Sequence, residues 1–513
     1  MAKGAAQKRY LQLESAREPF LTRARDCSKL TIPAIVPPQS HSSSATLPTP
    51  FQSIGARGVN NLANKLILAL LPPNSPILRM VVADDVLEEI MAMEGSTAEV
   101  ETALSKYERS VMKEIESAGD RNPVFEGFKH LVIAGNVLLY IGKDGLRVFH
   151  LHRYVCKRDP MGNAIEIVTR EDVAPEVFRK YHRFDAALVD QLTRDGRKDD
   201  ETVEVYTHIK RLPDKWEVYQ ETNGLVIPET RGTFPLDKSP YIPLRWTRID
   251  GEDYGRGHVE EYFGDLKSLE ALTRAIVEGA AAAAKVLFLV NPNGTTQQRV
   301  IAEAPNGAVR SGNSQDVTVL QLNKYADFRV AKEIASEIEQ RLSFAFLLNS
   351  TVQRSAERVT AEEIRYVASE LEDALGGLYS LMSSEFQLPY VKRRIALAKG
   401  LPKLPANVVN PVIITGIEAL GRGQDLRKLD LFVGDLLAKV GEQGLARLNM
   451  DEYLRRRAAA LSMDVTGLLK TDEQVAEEQK QAQMTQMVDR LGPEAMKQIG
   501  GMAADQTKGT TPQ

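Results

Sequence analysis

From Asp327 onward, Val330, Ile334, Ile338 and Leu342 recur every four residues, while Lys332, Glu333, Glu337, Glu339 and Arg341 fall between them. Apolar spacing near the helical repeat, with charge on the other positions, predicts an amphipathic helix that Asp327 caps. At 1.5 Å per residue, the stretch 327–348 spans roughly 33 Å. Polar residues then interrupt the stripe over 349–359. Thr360, Ala361, Glu362 and Glu363 form a capping box, after which Ile364, Val367, Leu371, Leu375, Leu378 and Met382 predict a second long helix running to Pro389. Two long helices, each with a single apolar stripe, must bury those stripes on other elements, so a predominantly helical architecture is expected.

The remainder is more mixed. A charged helix over the first thirty residues carries Leu11, Leu13, Ala16, Phe20 and Ala24 and ends at Pro33. A Pro/Ser/Thr segment over 33–50 reads as an extended arm. Ile54, Val59, Leu62, Leu66 and Leu70 give a helix up to Pro72. Helices are predicted over 96–117 and 124–135, with short strands over 150–157, 164–169, 203–210 and 216–221. No regular βαβ alternation appears, which excludes a doubly wound nucleotide-binding fold and leaves an α+β lobe. A further helix runs over 259–285, with Leu266, Leu269, Leu272 and Ile276 on one stripe and Gly279 followed by five alanines. Strands and turns fill 286–326. Beyond 401 a Pro-rich connector leads to helices over 426–439 and 450–460, and the Gln/Met-rich tail from 471 is too polar for a deep core.

At 513 residues, a prior of about 100–200 residues per domain suggests several lobes. Cys27 and Cys156 stand alone, which removes support for a disulfide framework or a zinc site and fits a reducing compartment. The longest apolar run, 279–290, is about half a membrane span and contains Lys285, so no membrane partner is expected. A net charge of −4 is a poor balance for gripping nucleic acid, whose affinity for proteins rests on basic contacts to phosphate. Any DNA partner is guided, not held.

Candidate chemistry fares poorly. Gly135 and Gly142 are too far apart for a phosphate loop, and Asp144 stands where the metal-binding hydroxyl belongs. His150 and His152 alternate onto one side of a predicted strand but lack a third metal ligand. Tyr254-Gly255-Arg256-Gly257 precedes a helix, a place where backbone amides can meet a phosphate, but a glycine turn explains it more simply. The pairs Asp84-Asp85 and Asp199-Asp200 read as solvated loop charges. With no nucleophile, metal or cofactor constellation, the chain is expected to be non-enzymatic and without catalytic residues.

The stretch RLSFAFLLNSTVQRSAERVTAEEIRYVASELEDALGG at 341–377 resembles the most recognisable segment of the portal, or head-to-tail connector, proteins of short-tailed podoviruses. PFQSIGARGVNNLANKL from Pro50, AGNVLLY from Ala134, DGEDYGRGHVEEYFGDLKSLE from Asp250 and EALGRGQDL from Glu418 are similar to further segments of that family, in the same order. The resemblance runs from about Tyr10 to Thr471.

That resemblance implies a portal fold with wing, stem, clip and crown, assembling as a dodecameric ring at the unique vertex of the virion after assembly in the host cytoplasm. Viral double-stranded DNA would be packaged and ejected through its channel without sequence-specific binding. It also implies terminase, scaffolding, tail-adaptor and internal core proteins as partners. In this chain the order becomes an N-terminal arm and wing over 1–258, stem helices over 259–285 and 327–348, and a clip over 286–326. A tunnel loop over 349–359 follows, then a long wing helix over 360–400, C-terminal wing and crown helices over 401–470, and a crown tail over 471–513. Gln353, Arg354 and Arg358 would then face the DNA channel, and Gly279, Ala280 and Ala283 would allow close packing of stem helices. The rivals are an enzyme acting on DNA, which lacks its constellation, and a non-channel scaffold or internal core protein, which leaves the ordered motifs unexplained.

Overall fold

In the computed structural model the described residues are 4–39, 46–73, 77–81, 97–174, 177–178, 202–283, 287–320, 325–348, 361–401, 412–415 and 422–441, with a few positions between 448 and 481. The chain divides into two compact units. The larger comprises Met1–Glu89 and Lys106–Gly421, the smaller Ile90–Ser105 and Arg422–Gln513.

Helix α1 (Ala5–Lys29) opens the larger unit, followed by α2 (Ile54–Leu70), strand β1 (Leu78–Val81), α3 (Thr97–Ser117), which begins in the smaller unit, and α4 (Arg121–Ala134). The buried face of α1 is Ala6, Tyr10, Leu13, Arg17, Leu21 and Ala24. Leu11, expected on the apolar stripe, is exposed. The stripe is hidden in the sequence because its centre is a charged residue. Arg17 is fully buried, donating to the Tyr10 hydroxyl at 2.7 Å and to the carbonyls of His152 and Tyr154 at 2.9 and 3.1 Å, and it pairs with Glu14. Glu221, also fully buried, accepts from the Ala6 and Gln7 amides at the first turn of α1, where a carboxylate is favoured.

Next come β2 (Asn136–Gly142), β3 (Gly145–Phe149), β4 (Tyr154–Arg158), β5 (Ala164–Val173), β6 (Val203–Arg211), β7 (Lys215–Thr222), β8 (Leu225–Pro235) and β9 (Tyr241–Arg245). Strands β4 to β8 form an antiparallel meander in sequence order, and β2 lies between β3 and β9 in a second sheet. Tyr10 and Leu13 of α1 join Val155, Val168, Tyr206 and Tyr219 in one core cluster, while Leu21 and Ala24 join Leu138, Phe149 and Ile209 in another. The mixed α+β expectation is met. The segment 135–143, weighed above as a phosphate loop, is a strand and hairpin.

His150 and His152 do not sit on one strand. A 3-10 turn, Leu151–Arg153, separates β3 from β4 there, and the imidazoles of His130, His150 and His152 stack in sequence at centroid separations of 6.0 and 6.1 Å. Burial holds His130 down at about 4. Burial, reinforced by His130 and Arg153, holds His150 at about 3, and burial with Arg17 also lowers His152. Each binds a proton less readily in the folded chain than at the unfolded value of about 6.5. The unfolded chain therefore takes up protons first as pH falls, and stability is lost progressively below about pH 6.5. Urea-midpoint titrations are expected to show that loss, and His130→Phe to reduce its slope.

The larger unit continues through α5 (His258–Glu261), α6 (Phe263–Ala283), β10 (Leu287–Val290), α7 (Gln298–Ala302), β11 (Val317–Leu320) and α8 (Tyr325–Ala345). It closes with α9 (Ala361–Ala374), α10 (Leu378–Met382), a π-helical turn Ser383–Gln387, α11 (Leu388–Leu397) and β12 (Val412–Thr415), which pairs with β1. Three expectations change. The helix predicted from 259 is interrupted at Tyr262, and Asp327 lies in the first turn of α8 instead of capping it. The continuous helix over 360–389 is broken where Gly376 and Gly377 both take positive φ, a conformation that ends a helix cheaply only at glycine. The smaller unit contains α12 (Arg422–Val440).

Candidate channel-forming segment

Helices α6 and α8 run antiparallel, joined through the β10–β11 hairpin. Arg341 pairs with Asp265 at 3.0 Å near one end, and Gly279 meets Phe328 near the other. A Cβ at Gly279 would lie 2.5 Å from the Phe328 ring, so glycine here admits the aromatic of the following helix. Ala280 is exposed, and the side chain of Ala283 lies outside the described residues. Gly279 thus packs within its own chain.

The end of α8 is fixed more firmly than its start. Phe346, fully buried, drops into a notch on α2 where a Cβ at Gly58 would come within 2.4 Å of its ring. His258 stands edge-on to that ring at 5.2 Å, and its Nε2–H donates to the Ala345 carbonyl at 2.9 Å. A carbonyl only accepts, so the proton must be on Nε2. Burial lowers the His258 pKa and keeps the ring neutral. Asn61 of α2 donates to the carbonyls of Phe346 and Leu347, both at 2.9 Å. It thereby satisfies orphan acceptors at a helix C-terminus. Leu347 takes φ +54°, rare for a branched side chain and stable only where neighbours impose it.

The same α2 holds the far side of the polar break. Lys65 pairs with Glu370 of α9 at 2.7 Å, and Val367, Ala368 and Leu371 are buried beside it. Glu270 of α6 accepts from the amides of Phe51 and Gln52 just before α2 begins, at 3.0 and 3.2 Å. Residues on both sides of 349–360 are therefore anchored on one helix, most of whose residues are buried. Gln353, Arg354 and Arg358 lie outside the described residues. Asn61→Ala removes both donated bonds and is expected to cost about 1–3 kcal/mol and to raise amide exchange at 345–348. Exchange unchanged there would show that the two bonds do not hold the turn.

Sequence reasoning did not find Gly58, Asn61, His258 or Phe346. Helical glycines at 55 and 58 were the available signal, since glycine inside a helix marks close approach. Gly255 and Gly257 do the same: a Cβ at either would strike the backbone of Thr247 or Ile133 at 2.6 Å. The glycine-turn reading of 254–257 fits this packing, and the four-residue α5 offers no phosphate cradle.

A family model described as bacteriophage head to tail connecting protein matches residues 3–469. The chain belongs to that family. The portal protein of Escherichia phage T7 is 43% identical, across 99% of this chain and 95% of its own length. That of Enterobacteria phage T3 is 42% identical, across 98% and 94%. Superposition on the neck of an empty gene transfer agent particle gives a TM-score of 0.35 at 12% identity, covering 79% of this chain and 90% of that one, and carries no weight. This portal-family chain is thus a virion head-to-tail connector and a structural protein, not an enzyme. Among the described residues no helix is long and apolar enough to cross a membrane.

Proposed function

We propose that twelve copies of the chain close into a ring at one capsid vertex, and that viral duplex DNA is packaged and ejected through its channel. Residues 259–285 and 327–348 form the stem around the axis, 286–326 the clip toward the tail, 349–359 the tunnel loop and 360–400 the wing helix. Residues 401–513 extend toward the crown, and terminase and tail components dock on the assembled ring. The supporting observation is the split fate of the stripe on α8. Ile338 and Leu342 are 6% and 0% exposed, but Val330 and Ile334 of the same stripe are 54% and 44% exposed, and Val277 of α6 is 49% exposed. Apolar surface left open on a paired helix calls for another chain, and a cyclic ring supplies it by pressing one face of a subunit onto a different face of the next. Ala280 and Ala283 give that neighbour close access. The net negative charge discourages DNA adhesion over distances near a Debye length of about 8 Å, while Arg354 and Arg358, with Gln353 as a neutral neighbour, touch its phosphates sparsely.

Val330→Asp combined with Ile334→Asp is expected to give soluble subunits that no longer form rings. Surface substitutions cost only about 0.5 kcal/mol in the subunit itself, so its melting temperature should be close to wild type. Rings that persist in the double variant would remove the stripe from the interface. Arg354→Ala with Arg358→Ala is expected to leave rings intact but alter DNA packaging or retention, and unchanged packaging and retention would exclude their contact with DNA.

A further inference from the structure

Asparagine precedes glycine at three places in the chain, Asn223-Gly224, Asn293-Gly294 and Asn306-Gly307. Such a step carries a latent intramolecular reaction. The backbone nitrogen that follows the asparagine can attack the side-chain amide carbon, and glycine offers no Cβ to obstruct the approach. Whether the attack succeeds depends on how the fold holds that nitrogen and the backbone around it, and the three steps differ in both respects.

At Asn293 the nitrogen is engaged. Gly294 N–H donates to the Asn291 carbonyl at 3.0 Å, and the Asn293 amide donates to Asn291 Oδ1 at 3.0 Å. The Asp316 carboxylate walls the same turn, so close that a Cβ at Gly294 would lie 2.4 Å from its Cγ, and the amides of Thr295 and Thr296 fix it there at 2.8 and 3.1 Å. A neighbouring anion opposes both deprotonation of the nitrogen and the oxyanion formed on attack. At Asn223 the obstacle is conformational. Asn223 and Gly224 are the two-residue turn of the β7–β8 hairpin, with φ of +46° and +73°, and Thr222 pairs with Leu225 across it. Bringing the side-chain carbon onto the Gly224 nitrogen requires rotation about the Asn223 backbone, which opens the hairpin.

Asn306 meets neither obstacle. Residues 305–310 are exposed throughout, and the turn is closed by a bond from the Ala308 amide to the Pro305 carbonyl at 3.1 Å. Among the described residues, the Gly307 amide and the Asn306 side chain make no hydrogen bond, and a Cβ at Gly307, whose φ is +83°, would meet nothing within 4 Å. We propose that Asn306 is a self-modification site, at which the side chain loses ammonia. Gly307 N gives its proton to solvent base and bonds to Asn306 Cγ; the Cγ–Nδ2 bond breaks, and ammonia leaves with a proton from water as a cyclic imide closes. Water then opens the ring. Addition at Cγ breaks its bond to Gly307 N and leaves aspartate, whereas addition at the backbone carbonyl carbon breaks that carbon's bond to the same nitrogen and routes the main chain through the side chain as isoaspartate. The net change is hydrolysis of an amide by water, with one negative charge added per copy. The reaction requires only the turn and is independent of ring formation.

The test is peptide mapping by mass spectrometry of the full chain after days in mildly alkaline buffer, both native and in urea. In the native chain, conversion at Asn306 is expected to outrun that at Asn293 by about five- to tenfold, the rate equivalent of freeing one hydrogen bond, and to outrun that at Asn223 as well. In urea the three rates should converge, because structure is what separates them. Aspartyl and isoaspartyl forms are both expected at 306, with an acidic isoform on ion exchange that Asn306→Gln, whose longer side chain must close a larger ring, removes. The position is exposed, so that variant does not threaten folding. Native rates that are alike at the three steps, slower conversion at Asn306 than at either of the others, a native order that persists unchanged in urea, or an isoform that Asn306→Gln leaves in place would overturn the proposal.

Discussion

Phe346→Ala is expected to lower unfolding stability by about 3–5 kcal/mol, the range for removing a buried aromatic ring from a closely packed site. The ring fills a notch that α2 cannot close by itself, because Gly58 carries no side chain to move into the space. His258 would lose its edge-on partner, and Leu347 the packing that imposes its left-handed backbone. Urea denaturation with a fluorescence readout checks the magnitude. Gly58→Ala attacks the same contact from the opposite wall: its Cβ would overlap the ring, and overpacking costs about 1–3 kcal/mol. A Phe346→Ala loss below about 1 kcal/mol would mean that the notch collapses freely and that α2 does not hold the end of α8.

The second large effect is expected at Asp120, ahead of α4. Its carboxylate is buried, pairs with Arg394 of α11, and accepts from the Tyr390 hydroxyl at 2.6 Å. Burying an ion pair gains little net stability, but removing one partner strands the other charge. Asp120→Ala leaves Arg394 nearly buried without its partner and is expected to cost about 3–5 kcal/mol. Tyr390→Phe removes one hydrogen bond and should cost only about 1–2 kcal/mol. Combining Asp120→Ala with Arg394→Met should recover most of the loss, because the stranded charge is gone. Urea midpoints of these three variants and of Arg394→Met alone decide the point, and additive losses in the double variant would refute the coupling.

What could be read from the chain follows from how locally each feature is encoded. The stripe of α2 is legible because nearly every apolar residue in it is buried, and the helices over 97–117 and 121–134 announce themselves in the same way. Strand β2 is harder. It is the central strand of its sheet and almost wholly buried, so its run of apolar residues between glycines carries no alternation to mark it as a strand. Strand β8 escaped because Pro228, Gly232 and Pro235 read as punctuation, yet proline is tolerated on the edge strand that β8 forms. The pairing of β1 with β12 joins residues over three hundred positions apart, which no local pattern signals.

At the candidate site the divide is the same. The α8 stripe is visible, but its division into a buried and an exposed half depends on which elements pack on α8 in three dimensions. Asn61 looked like one polar residue among several on a helix, and its role exists only once Phe346 and Leu347 are beside it. The small residues from Gly279 signal close packing of stem helices, but no spacing names Phe328 of the same chain as what meets Gly279. Glycine content reports a close approach and not the identity of what approaches.

The most direct test of the central proposal is negative-stain imaging of the purified full chain with rotational averaging. The account predicts closed rings of twelve subunits around a hole wide enough for duplex DNA. Particles that remain single subunits or open filaments at every protein concentration would contradict it.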